Sequence, residues 1–142
     1  MAKYAALRRV LIERGVLRAD ELHAAPPAPV EALLAVHAPE YVRDVLEGTL
    51  SATAVTRLGF PWSPALVVRS LASVGGTLAA TRAALRDGLA GNLAGGTHHA
   101  HRDFGAGYCV FNDIAVAARA ALDGRLDAPA ADADGRLLLR SP

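Results

Sequence analysis

Val67, Leu71, Val74, Leu78, Thr81 and Leu85 advance through the chain by steps of four and three in strict alternation. That spacing keeps all six on one face of an α-helix, so whatever this chain folds into must cover a single long apolar stripe. Ser63 is a good cap for such a helix, Pro64 a good first residue, and Gly88 a good stop. Arg69, Arg82 and Arg86 fall off the stripe. Gly75 and Gly76 sit in its middle, where each costs about 1 kcal/mol against alanine. That cost points either to close backbone packing there or to a weak spot.

The flanking segments predict what packs on this helix. Ala2 to Arg14 reads as a helix stopped by Gly15, and Pro39 opens another carrying Tyr41, Val42, Val45 and Leu46 up to Gly48. Leu33 to His37 is a short apolar run that reads as a buried strand. Asn92 to Ala94 reads as a second strand, with Gly95 and Gly96 as its exit turn. Asn112 or Asp113 then caps a helix over about 114–122. Strands separated by helices predict an α/β domain with a parallel sheet, in which sites form where loops leave the carboxyl ends of strands.

Bulk properties exclude several classes of function. A chain of 142 residues makes one domain with one core. With 52% hydrophobic but only 5% aromatic residues, that core is mainly aliphatic. A net charge of +1 gives no field to draw in nucleic acid or an anionic membrane. One cysteine suits a reducing compartment. The segment MAKYAALRRVLIERG is neither a signal peptide nor a membrane span, so a cytoplasmic location is expected.

The loop after Gly95-Gly96 carries the chemistry. GGTHHAHRDFGAGYCVFND, residues 95–113, holds His98, His99 and His101 and the lone Cys109. Three imidazoles suggest metal ligation, but neighbours on an extended chain diverge, and His-His-Ala-His lacks the usual spacing of ligands. Two adjacent rings in a glycine-walled pocket also suit general acid–base work, because histidine titrates near neutral pH. A plain polar loop whose histidines satisfy backbone groups is the third reading. Composition and spacing leave all three open.

The segment GGTHHAHRDFGAGYCVFNDIAVAAR resembles the tandem-histidine segment of the histone deacetylase family, which includes bacterial acetylpolyamine amidohydrolases and acetoin-utilisation proteins. YVRDVLEGTLS and GFPWSPALVVRSLASVGGTLAATRAAL extend the resemblance upstream, and it covers about Lys3 to Leu122. It implies an arginase/deacetylase-type three-layer fold with a parallel sheet, of which this chain would be an incomplete first half. It also implies hydrolysis of acetyl-lysine or acetyl-amine amides beside a zinc-bound water. His99 would then be the general base and acid, and His98 its electrostatic partner. Gly107 and Tyr108 would line the channel for an acyl-lysine or acetylpolyamine chain, with Tyr108 where many relatives carry phenylalanine. Cys109 would sit beside that channel, Gly95 and Gly96 would turn the backbone beneath it, and Asn112 and Asp113 would only cap the next helix. His23 and His37 would be surface or packing histidines.

The pattern then departs from the family. Relatives continue into an Asp-x-Asp-x-His strand that supplies two zinc ligands, then a third ligand and an oxyanion-stabilising tyrosine. This chain instead reads RLDAPAADADGRLLLRSP, where Asp132 and Asp134 have the aspartate spacing but Gly135-Arg136 follows. Residues 1–122 are therefore expected to be a truncated deacetylase-like domain and 123–142 a divergent, disordered tail. No metal ligand is assigned, no tightly held zinc is expected, and the chain alone is expected to be inactive. A non-catalytic binding module on the same fold is the alternative. An exposed sheet edge is expected to favour an oligomer or partner.

Overall fold

The computed structural model describes residues 2–126, and everything below concerns them. The spine is a long helix, Pro64–Asp87, here α5. It starts as its sequence predicts: the Ser63 hydroxyl accepts from the Leu66 amide at 3.1 Å, and Pro64 follows as first helical residue. Before it come α1 (Ala2–Glu13), α2 (Val30–Leu34), α3 (Pro39–Glu47) and α4 (Ala52–Leu58). After it comes α6 (Asp113–Leu122), which lies against α5. Leu33, Tyr41, Val42, Val45, Leu58, Leu66, Val74, Leu78, Phe111, Val116 and Ala117 form the core between these helices.

The glycines in the middle of α5 mark close packing and not a weak point. A Cβ on Gly75 would lie 1.8 Å from the Pro26 carbonyl oxygen, so the proline segment before α2 crosses the helix where only glycine fits. The Ala28 amide donates to the Leu71 carbonyl beside that crossing at 2.9 Å. The stripe itself is partly corrected. Val74 and Leu78 are buried, but Leu66 and Ser70 lead the first turns inward, and Leu85 is 67% exposed because no described element covers the last turns of α5.

Both expected strands are corrected. Leu33 and Leu34 belong to α2, and the next residues continue its hydrogen bonding, with the His37 amide donating to the Leu33 carbonyl at 2.8 Å. A short apolar run fits a buried helix turn as well as a strand, and here helix bonding is what the neighbouring chain permits. Asn92 to Ala94 make a side-chain-directed turn. The Asn92 side-chain oxygen Oδ1 accepts from the Ala94 amide at 3.1 Å, a local bond that competes with any ladder. Among the described residues no strand forms, and the β pairing present is an isolated bridge between Ala106 and Cys109. The expected sheet edge therefore has no counterpart there. Apolar exposure lies instead on and after helices, at Leu85, Leu89 and Leu122.

α1 forms over nearly its expected range, yet Leu7 and Val10 on its stripe remain exposed. Helix α4 is an element that the sequence reading did not place. Ser51 caps it, accepting from the Ala54 amide at 3.2 Å. Its C-terminal Leu58 is buried and offers its carbonyl to the loop described next. Of the expected tail, residues 123–126 turn off the end of α6 and Leu126 joins the core, while residues 127–142, with Asp132 and Asp134, lie outside the described residues.

Candidate active site

The loop from Gly95 to Asn112 joins α5 to α6, and its first turn is built around a buried carboxylate. Asp113, the first residue of α6, has no solvent exposure. Its oxygens accept from the Gly96 amide (2.9 Å), the Thr97 amide (2.7 Å) and the Thr77 hydroxyl. The Thr77 hydroxyl in turn accepts from the Asn92 amide group at 3.0 Å, which also donates to the Ser73 carbonyl at 2.9 Å. The Thr97 hydroxyl donates to the Phe111 carbonyl at 2.7 Å, with Asp113 Oδ1 2.9 Å away. A buried carboxylate is tolerated only when its lone pairs are filled in this way.

The paired glycines are the geometric condition for that turn. A Cβ on Gly95 would stand 2.4 Å from Thr77 Oγ1 and 2.7 Å from Asp113 Oδ2, and Gly96 has φ of +90°. The role given to Asp113 is enlarged: Asn112 alone is the cap, its side chain accepting from the Ala115 amide at 3.0 Å, while Asp113 organises the turn.

His98 and His99 leave this turn with their rings together, centroids 4.3 Å apart and planes at 39°. Both side chains are solvent-exposed. His98 Nδ1 lies 3.0 Å from the Gly96 carbonyl, which can only accept, so Nδ1 carries the proton and Nε2 is left available. Among the described residues no group hydrogen-bonds the His99 ring. A Cβ on Gly107 would lie 3.2–3.3 Å from atoms of His99, so Gly107 stands where the ring needs an empty position. His101 does not join the pair, because its ring stacks on Phe104 at 4.4 Å. Among the described residues no three His, Cys, Asp or Glu side chains converge to hold a metal ion.

Tyr108 occupies the tip with φ of +65°, the one described non-glycine residue with positive φ. Its amide donates to the Leu58 carbonyl at 3.0 Å, and its ring packs edge-on against Phe60 at 5.1 Å while staying 66% exposed. It borders a recess of about 150 Å³ that is also lined by Arg69, Ser70, Ser73, Thr97 and Phe111. Neither His98 nor His99 lines that recess. Cys109 is buried, with its thiol 3.6 Å from the Gly107 carbonyl.

His37 and Tyr41 support the loop from below, a role that no local pattern in the chain signals. His37 is buried, with Nδ1 2.8 Å from the His101 carbonyl and Nε2 accepting from the Asn112 amide at 3.1 Å. It is a packing histidine and not a surface one. Burial holds its imidazole below the usual histidine range, against an opposing pull from the loop carbonyls. The Tyr41 hydroxyl donates to the Val110 carbonyl at 2.6 Å, and burial raises that phenol above its ordinary range.

The sequence profile of the histone deacetylase domain matches residues 1–128. The chain is also similar to an uncharacterized protein of Picosynechococcus sp., at 44% identity over 120 residues, which are 84% of this chain and 40% of that protein. It thus spans well under half the length of this curated relative. No described helix is long and apolar enough to cross a membrane. With the tandem histidines on their glycine turn and a profile match over most of its length, the chain belongs to the histone deacetylase family.

Proposed function

We propose that residues 1–122 are the histidine-bearing part of an amidohydrolase domain, and that the completed site hydrolyses acetyl-lysine or acetylated polyamine-type amides. The ring-on-ring pair of His98 and His99, held by a turn with a buried carboxylate beneath it, is the observation that supports this reading. A polar loop serving only its own backbone has no need of two exposed imidazoles in contact. Amide hydrolysis needs one proton taken from water and one delivered to the departing amine. In this reading His99 moves both, its ring set against Gly107. His98, its Nδ1–H committed to Gly96, acts in this step as the imidazolium, and the second N–H, on Nε2, faces the negative charge that develops on the acyl oxygen. Gly107 and Tyr108 form one wall of the path for an aliphatic acyl-amine chain, and Cys109 is inert behind it.

In complete relatives a zinc ion lowers the pKa of the attacking water. The described residues do not fit such an ion: no trio of donors converges, and the Asp113 carboxylate is filled by the turn. On this reading the ion's holders, and a sheet to carry them, belong outside residues 2–126. Because the sequence holds no Asp-x-Asp-x-His run, the chain alone is expected to show no turnover on an acetyl-lysine reporter with zinc added.

The experiment is a chimera. The matching segment of the Picosynechococcus relative is replaced by residues 1–122, and zinc-dependent deacetylation is assayed beside the intact relative. The chimera should turn over the reporter, and His99→Ala in it should lower kcat by about 10²–10⁴-fold, the usual worth of a general acid–base. Turnover by the relative but none by a folded chimera would overturn the assignment and leave the binding-module reading.

A further inference from the structure

We propose that His37 is a positioning residue for the imidazole pair: its neutral ring ties together the two limbs of the tandem-histidine loop, and protonation unties them. The ring spans two backbone groups eleven residues apart in sequence, donating from Nδ1 to the His101 carbonyl (2.8 Å) and accepting at Nε2 from the Asn112 amide (3.1 Å). His101 lies just after the pair, and Asn112 sits at the start of α6, beside the carboxylate that shapes the pair's turn. Only one tautomer satisfies both partners. The carbonyl requires hydrogen on Nδ1, and the amide requires a lone pair on Nε2. A second bond reinforces the grip, the Ala38 amide donating to the Arg102 carbonyl at 2.7 Å. The segment joining α2 to α3 therefore holds the loop at consecutive residues. The Asn112 side chain extends the tie toward the pair, donating to the Ala100 carbonyl at 3.1 Å.

Adding a proton at Nε2 would set an N–H against the Asn112 N–H, and the lower tie must open. No countercharge stands by to favour that proton. Tyr41 from α3 faces the ring at 5.9 Å, but its hydroxyl is committed to Val110. Phe111 faces it at 5.4 Å. The His101 ring is turned onto Phe104, and the Arg102 and Asp103 side chains are exposed. The Asp113 carboxylate on α6 is taken up by Gly96, Thr97 and Thr77. The folded ring thus resists protonation more than the unfolded one. Its stabilising contribution is complete above the ordinary histidine value of about 6.5 and is lost as pH falls from there through the folded value.

What the pair is for rests on the function proposed above, but the tie does not, and its test measures no turnover. Ring nitrogen spectra of the ¹⁵N-labelled chain should show His37 as the Nδ1–H tautomer, titrating below the ordinary histidine value of about 6.5. Protection of the amides across residues 98–112, taken relative to the intrinsic exchange rate at each pH, should fall about tenfold in the same acid step, the worth of one net hydrogen bond. His37→Gln keeps an acceptor for Asn112 and has no proton to gain, so its loop should stay protected through that step. His37→Phe should expose the loop already at neutral pH. A His37 ring in the Nε2–H form, or loop exchange that ignores its titration, would overturn the proposal. So would a loop equally protected in His37→Phe.

Discussion

The loop that carries the histidines is held differently at its base and at its tip. At the base, the Gly96 and Thr97 amides are gripped by the Asp113 side chain on α6, which the Thr77 hydroxyl on α5 bonds in turn, with Asn92 before the loop donating to Thr77. At the tip, Gly107 and Tyr108 are held through backbone bonds, from the Tyr108 amide to Leu58 and from the Cys109 amide to Ala106. The base is polar and centred on a buried carboxylate; the tip is exposed and strained. The groups that would do chemistry, His98, His99 and Tyr108, are all free at their working ends, while the groups that fix them are buried and do none. Rigidity and reactivity are thus assigned to different residues, and stability measurements should separate them.

The largest effect belongs to the buried carboxylate. Asp113→Ala would leave the Gly96 and Thr97 amides without acceptors inside the protein. Each unsatisfied buried group costs about 1–3 kcal/mol, so urea unfolding should show a loss of about 3–4 kcal/mol. Thr97→Val comes next. It keeps the shape of the side chain but removes the bond to the Phe111 carbonyl, and about 1–2 kcal/mol should go with it. If Thr97→Val cost as much as Asp113→Ala, the carboxylate would not be the organiser of the base, and the contrast drawn between base and tip would fail.

Much of this was legible in the chain. The capped starts at Ser63-Pro64 and Asn112 and the stop at Gly88 found α5 and α6, because caps are local signals. The two glycines of α5 announced a close approach without naming Pro26 as the neighbour. The tandem histidines stood out by composition, and resemblance supplied their roles. Burial and long-range pairing were not legible. Leu33 to His37 looks alike as strand or helix until its hydrogen bonds are known. Leu85 sits on the predicted stripe yet stays exposed, since a stripe says which face is apolar but not how far its cover extends. Asp113 resembles any cap residue, and His37 lies in a stretch with no periodic signal. Their partners are 16 and 75 residues away, a separation that no local rule spans.

The smallest effect should come at the tip, and its sign carries the information. Tyr108 holds φ of +65°, a conformation that costs an L-residue about 1–2 kcal/mol and glycine almost nothing. Its ring recovers part of that by packing on Phe60 and over Gly59, where a Cβ would come within 2.9 Å of the phenol ring. Tyr108→Ala loses the packing and keeps the strain, so it should destabilise by about 0.5–1 kcal/mol. Tyr108→Gly loses the same packing but relieves the strain, and should be more stable than the alanine variant by about 1 kcal/mol. Paired urea titrations of the two variants decide the point. Should alanine prove the more stable, the left-handed tip would not be a feature of the folded chain. Tyr108 would then be no fixed wall, whatever the base beneath the histidines does.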